Sequence, residues 1–136
     1  MARSEGNVVL SSRGLPALES APPAEFDGPG DLWSPESLLL GAVADCYVLS
    51  FRTLAANSSL PWEELRCSAE GVLDRAEGGM RFTEIHLRAE LVLPEGQKLD
   101  RAQRLLERAE KICLVSNSLV TPVQLETQII ERAVAG

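Results

Sequence analysis

A chain of 136 residues with a formal net charge of −7 is about one domain's worth of polypeptide, and that charge argues against a binder of nucleic acid or of an anionic membrane, which would normally show a basic face. Its six aromatic residues are too scattered to form a platform for stacked bases. Three cysteines, with no Cys-x-x-Cys pair, and a single histidine argue against a secreted disulfide framework and against a structural zinc site. We therefore expect one domain over residues 1–136, with no metal and no cofactor.

The opening MARSEGNVVL has neither a continuous apolar stretch nor a small-residue cleavage site, so a secretory leader is not expected. The longest apolar run, Leu38 to Phe51, is interrupted by Asp45 and ends at Arg52. It is shorter than the roughly 20 residues a bilayer needs. A soluble, cytoplasmic protein is the expectation.

Residues 7–30 read as short strands and turns. NVVLSS is briefly β-prone, and RGLPALESAPPAEFDGPGD turns repeatedly through its Pro, Gly and Asp. A helix follows with clear punctuation. Ser34 is a good N-cap, Pro35 suits the first helical position, and Glu36 favours the positive end of the dipole. The helix should run to about Asn57. Its middle is apolar nearly all round, which belongs at the centre of a larger body than one short chain provides. A second subunit would supply the cover.

Two strands come next. Alternation over residues 65–73 places Leu65, Cys67, Ala69 and Leu73 on one face. Glu77-Gly78-Gly79 marks a hairpin turn. Over 81–93, Ile85, Leu87, Ala89, Leu91 and Leu93 face inward, while Glu84, His86, Arg88 and Glu90 face outward. A second helix should begin near Asp100 as N-cap, with Gln103 completing a capping box. Leu99, Ala102, Leu105, Leu106, Ala109, Ile112 and Cys113 follow its apolar stripe. TPVQLETQII, from Thr121, reads as a last strand. The order of elements defines an α+β fold with mixed or antiparallel pairing.

The chemistry turns on thiols. Cys67 reads as a small inward-facing core residue, and His86 as an ordinary exposed histidine. Cys46 lies deep in the first helix, far from the N-terminus that would favour a thiolate. Asp45 beside it would work against one, so activation must come from elsewhere. Cys113, at the end of a helix and followed by Ser116-Asn117-Ser118, is a second thiol able in principle to condense with an oxidised Cys46.

SPESLLLGAVADC is similar to the helix start of the OsmC/Ohr family, in which a reactive cysteine follows ten residues after a Pro-Glu opening. KICLVSNSL resembles that family's second cysteine segment. The resemblance runs from about residue 7 to the end. It implies an OsmC-like fold with a long central buried helix, in an intertwined homodimer. It also implies a thiol-dependent peroxidase for organic hydroperoxides, recycled by a dithiol such as a lipoyl group on a protein. By that resemblance Cys46 is the peroxidatic thiolate, Cys113 the resolving thiol, and Glu36 the glutamate that holds an arginine beside the thiolate. The family's arginine lies in the N-terminal strands or turns. One subgroup places it directly before a Phe-x-Gly turn, where this chain has Glu25 before Phe26-Asp27-Gly28. Arg3 and Arg13 remain, and Arg13, in the turn SSRG, is preferred.

Glu36 and Cys46 lie ten residues apart on one helix, about 15 Å at 1.5 Å per residue. If both serve one site, Glu36 comes from a second subunit on a roughly antiparallel helix. The alternative expectation is an OsmC-fold dimer that binds a small apolar or thiol-reactive ligand without turnover.

Overall fold

The computed structural model describes residues 1–133, which form two compact units, Met1–Gly41 and Ala42 onward. In the first unit, β1 (Val8–Leu10) and β2 (Leu18–Ser20) make a small antiparallel sheet, and Ser20 bridges Trp33 in parallel. A single 3-10 turn, Ala24–Phe26, follows. Gly28 closes this turn by donating its amide to the Pro23 carbonyl at 2.9 Å. A Cβ at Gly28 would stand 1.6 Å from the Pro22 carbonyl oxygen, so only glycine fits.

Helix α1 spans Pro35–Asn57 and starts as its sequence predicts. Ser34 Oγ accepts the Ser37 amide at 3.1 Å, and Ser37 Oγ accepts the Ser34 amide at 2.8 Å. This reciprocal cap satisfies two donors that the first turn would otherwise leave open. With 23 residues and a mean hydropathy of 1.5 over its best window, α1 is long and apolar enough to cross a bilayer by length and composition. The sequence expectation measured only the stretch from Leu38 to Phe51; the whole helix is longer, and the core helix of a globular protein passes the same test of length and composition. An aspartate near a bilayer's centre, as Asp45 would be, costs about 2.5–3.5 kcal/mol on insertion scales. One stripe of the helix is also already committed to protein packing, since Val43, Tyr47, Phe51 and Ala55 are fully buried. Phe51 meets Trp62 edge-on, with ring centroids 5.4 Å apart.

The second unit is built on a three-stranded sheet of order β3-β4-β5. β3 (Glu64–Ala76) and β4 (Gly79–Pro94) pair antiparallel, with Ala76 opposite Gly79 across a two-residue turn. Gly78 and Gly79 hold φ of 93° and 125° there, which glycine adopts without strain. β5 (Val123–Arg132) lies parallel to β4, Ile85 opposite Val123 and Pro94 opposite Arg132. Parallel neighbours need a crossover, and α2 (Leu99–Ile112) with a short α3 (Leu114–Asn117) supplies it.

The alternation expected along β4 holds, with Ile85, Leu87, Ala89, Leu91 and Leu93 at 0–1% exposure. α2 turns Ala102, Leu105, Leu106 and Ala109 inward, and Gln103 Nε2 donates to Thr127 Oγ1 on β5 at 2.9 Å. The Tyr47 hydroxyl reaches from α1 to the Leu106 carbonyl at 3.0 Å. One boundary differs from expectation. α2 starts at Leu99 with Lys98 as N-cap and no side-chain cap, so Asp100 sits inside the first turn. The capping box fails because Gln103 is engaged by Thr127 and Glu107.

The capping pair at Ser34 predicts a measurable loss. Ser34→Ala should lower unfolding free energy by about 1 kcal/mol, read as a shift in urea midpoint with an unchanged slope. A midpoint that stays put would show that the cap contributes nothing net.

Candidate active site

α2 stops at Cys113, whose φ of −61° and ψ of 112° take the chain out of the helix for one residue. Cys113 is at once the C-cap of α2 and the N-cap of α3. The Asn117 amide returns to the Cys113 carbonyl at 3.0 Å, and Asn117 Nδ2 donates to the Lys111 carbonyl at 3.0 Å. The second bond satisfies one of the carbonyls that the end of α2 leaves open. The amides of the first turn of α3 have no carbonyl partner within that helix.

Two of those amides meet Cys46. Burial alone would raise the Cys46 pKa. Hydrogen bonds from the Val115 amide, the Cys113 thiol and the Leu114 amide outweigh it and hold the thiol below its ordinary value. Ser50 adds least, and its Oγ donates to the Cys46 carbonyl at 2.7 Å. Cys46 is half-buried, so a small molecule can reach the sulfur.

Cys113 is fully buried. Burial pushes its thiol up, the Ser116 hydroxyl and amide favour the thiolate, and a charged Cys46 opposes it, with a net rise. Ser116 Oγ is buried and closes no hydrogen bond, so it approaches the Cys113 sulfur without bonding it in this rotamer. The two thiols therefore divide their roles. Cys46 is the more acidic of the two and Cys113 the less.

Cys67 is the third thiol. It sits on the inner face of edge strand β3 opposite Ala89, half-buried. Burial and the nearby Cys113 push it up to about 11. It is a less complete core residue than its alternation suggests, because β3 forms an edge of the sheet.

The structure thus brings together Cys46 and Cys113 of the expected site residues. Glu36, in the first turn of α1, has a buried Oε2 with no hydrogen-bond partner. Arg13 and Arg3 are exposed and make no ion pair among the described residues. Asp45 is exposed as well. His86 lies on the outer sheet face, its Nε2 3.3 Å from Glu84 Oε2. No group of three or more His, Cys, Asp or Glu suited to a metal occurs among the described residues. Sequence reasoning missed Leu114 and Val115, because their contribution is a backbone amide and their side chains carry no sign of it.

An α+β unit that sets one thiol beside backbone amides and a second thiol defines a paired-thiol α+β fold. Comparison with known proteins makes the assignment particular. Residues 28–128 match the family model described as OsmC-like protein. YmaD of Bacillus subtilis, an uncharacterized protein, is 31% identical over 109 residues, covering 78% of this chain and 73% of its own. An OsmC-like protein of unknown function from Vibrio cholerae shares the fold at a TM-score of 0.82 and 21% identity, over 89% of this chain and 83% of that one. The organic hydroperoxide resistance protein OsmC from Legionella pneumophila superposes at 0.69 and 21% identity, over 95% and 99%. The chain belongs to the OsmC-like family and has its fold.

The environments of the three thiols set an order of reactivity. Alkylation followed against pH by mass spectrometry should give Cys46 a midpoint below the free-thiol value of about 8.5, with Cys67 reacting only near its raised value of about 11. Equal rates at all three positions would contradict the assigned hydrogen bonds.

Proposed function

We propose that this protein is a two-cysteine peroxidase for organic hydroperoxides. The observation that carries the reading is the pairing of a half-buried Cys46 whose pKa is lowered with a buried neighbouring Cys113 whose pKa is raised. Family membership and the hydroperoxide-resistance neighbour point the same way.

The Cys46 thiolate attacks the distal oxygen of R–O–O–H and the O–O bond breaks. Sulfur takes the hydroxyl to become sulfenic acid, and RO⁻ leaves to gain a proton as the alcohol. The Cys113 sulfur then attacks the sulfenic sulfur, forming the Cys46–Cys113 disulfide and releasing water. An external dithiol reduces the bridge by two successive exchanges. Donors fixed in place around the sulfur lower the cost of holding negative charge there.

The homodimer is part of the same proposal. Only 22% of the residues in the most apolar window of α1 are fully buried within the chain, and the others, Leu49 at 46% among them, keep apolar surface that a second copy could cover. The orphan Glu36 Oε2 asks for a donor. A second copy running roughly antiparallel would cover α1 and bring its Glu36 toward Cys46, with Arg13 as the cation Glu36 holds.

Both parts are testable. One equivalent of an alkyl hydroperoxide should produce a Cys46–Cys113 bridge on disulfide mapping, absent in Cys46→Ser and formed faster than with hydrogen peroxide. A Cys46 that stays reduced in folded protein would leave an OsmC-fold ligand binder. For the composite site, Cys46→Ser and Glu36→Ala are each expected to be inactive alone. Their random mixture, after subunit exchange, should recover about a quarter of wild-type turnover through one intact site per mixed dimer. No recovery despite exchange would show that Glu36 and Cys46 do not combine across the subunit interface.

A further inference from the structure

Cys113 and Ser116 have the spacing of the serine pair that opens α1. There Ser34 is the cap, Ser37 lies three residues on, and Ser34 Oγ donates to Ser37 Oγ at 3.1 Å. At the start of α3, Cys113 is the N-cap and Ser116 lies three residues on, but no side-chain cap bond closes. Ser116 is 6% exposed, and its Oγ has no hydrogen-bond partner. A hydroxyl withdrawn from water with nothing to bond is disfavoured, so its retention beside a reacting thiol needs an explanation.

The group that this hydroxyl approaches is the Cys113 sulfur. Burial raises that thiol, the Ser116 hydroxyl and amide work the other way, and Cys46 adds to the rise. The part played by Cys46 depends on its oxidation state. A Cys46 thiolate opposes a second charge beside it. A Cys46 sulfenic acid is uncharged, so that opposition disappears on oxidation. Ser116 is then left as the group that favours charge on Cys113 against the cost of burial.

We propose that Ser116 drives the resolving step: once Cys46 is a sulfenic acid, the Ser116 hydroxyl turns to donate to the Cys113 sulfur and holds the charge with which that sulfur attacks. This rests on the peroxidase reading above and gives the reaction a residue beyond the two thiols. Cys113 gives up its proton and its sulfur attacks the Cys46 sulfur. The S–S bond forms, the S–O bond breaks, and the hydroxide that leaves takes up one proton to become water. Ser116 keeps its own proton throughout. Before oxidation its hydroxyl is idle, which leaves Cys46 the more acidic thiol and the first to meet peroxide.

The test uses the full chain and separates the two steps. Reduced protein is mixed with one equivalent of an alkyl hydroperoxide and quenched at intervals. Mass spectrometry then follows Cys46 sulfenic acid, trapped with dimedone, and the Cys46–Cys113 bridge. Ser116→Ala should consume peroxide at the wild-type rate but form the bridge about tenfold more slowly, as expected for the loss of one hydrogen bond to a charged group. In excess peroxide its longer-lived sulfenic acid should pass on to sulfinic acid. Ser116→Thr keeps the hydroxyl and should restore the bridging rate. The alkylation midpoint of Cys46 is the structural control, because disruption of α3 would remove the Val115 and Leu114 amides and raise it. Three results would each overturn the role of Ser116 and leave the peroxidase standing: wild-type bridging in Ser116→Ala, a raised Cys46 midpoint in that variant, or a Ser116→Thr chain no faster than Ser116→Ala. A wild-type chain that forms no bridge would remove both.

Discussion

At Cys113 the chain leaves one helix and enters another within a single residue, and the chemistry of the site depends on that break. Had α2 continued, the amides of Leu114 and Val115 would bond to carbonyls one turn back and be spent on the helix. The break releases them. It also lets Asn117, the last residue of α3, tie that helix to the end of α2 through the Lys111 carbonyl. One local change of backbone direction thus frees the donors for the first thiol beside the second.

This arrangement explains how three thiols in one small unit acquire different chemistry. Desolvation raises all of them, because each is at least partly withdrawn from water. Only Cys46 gathers enough donors to reverse the sign. Cys113 has Ser116 but also faces Cys46, so a second negative charge is disfavoured next to the first. Cys67 has burial and a neighbouring thiol against it. A sequence can therefore carry extra cysteines without making extra nucleophiles.

Much of the fold was legible because periodicity and capping report on local physics. The Ser34 cap, the inward row of β4 and the Gly78-Gly79 turn follow from residue types at fixed spacings. What escaped the sequence shares a different character. A four-residue helix such as α3 has no period to detect. Parallel pairing of β5 with β4 is a choice of partner, not of local conformation. The start of α2 was misplaced because Gln103, the residue that should have closed the cap, found Thr127 across the sheet instead. Of the candidate site, the cysteines were visible through the family resemblance, while the amides that tune Cys46 have no side-chain signature.

The same logic bears on the cation that the family resemblance asks for. An arginine beside a thiolate does two jobs: it lowers the thiol pKa, and it steadies the negative charge that moves to the departing oxygen. In this chain the first job is already met by the Val115 and Leu114 amides and by Cys113. The second is not, because amides aimed at sulfur do not follow the charge to the leaving alkoxide. In the proposed composite site, that asymmetry would give the orphan Glu36 carboxylate a role. A buried carboxylate oxygen without a donor is costly, and a guanidinium is the group that satisfies it bidentately while still presenting N–H groups outward. On this argument the arginine of a composite site would act mainly on turnover, and the reactivity of Cys46 toward alkylating agents would persist without it.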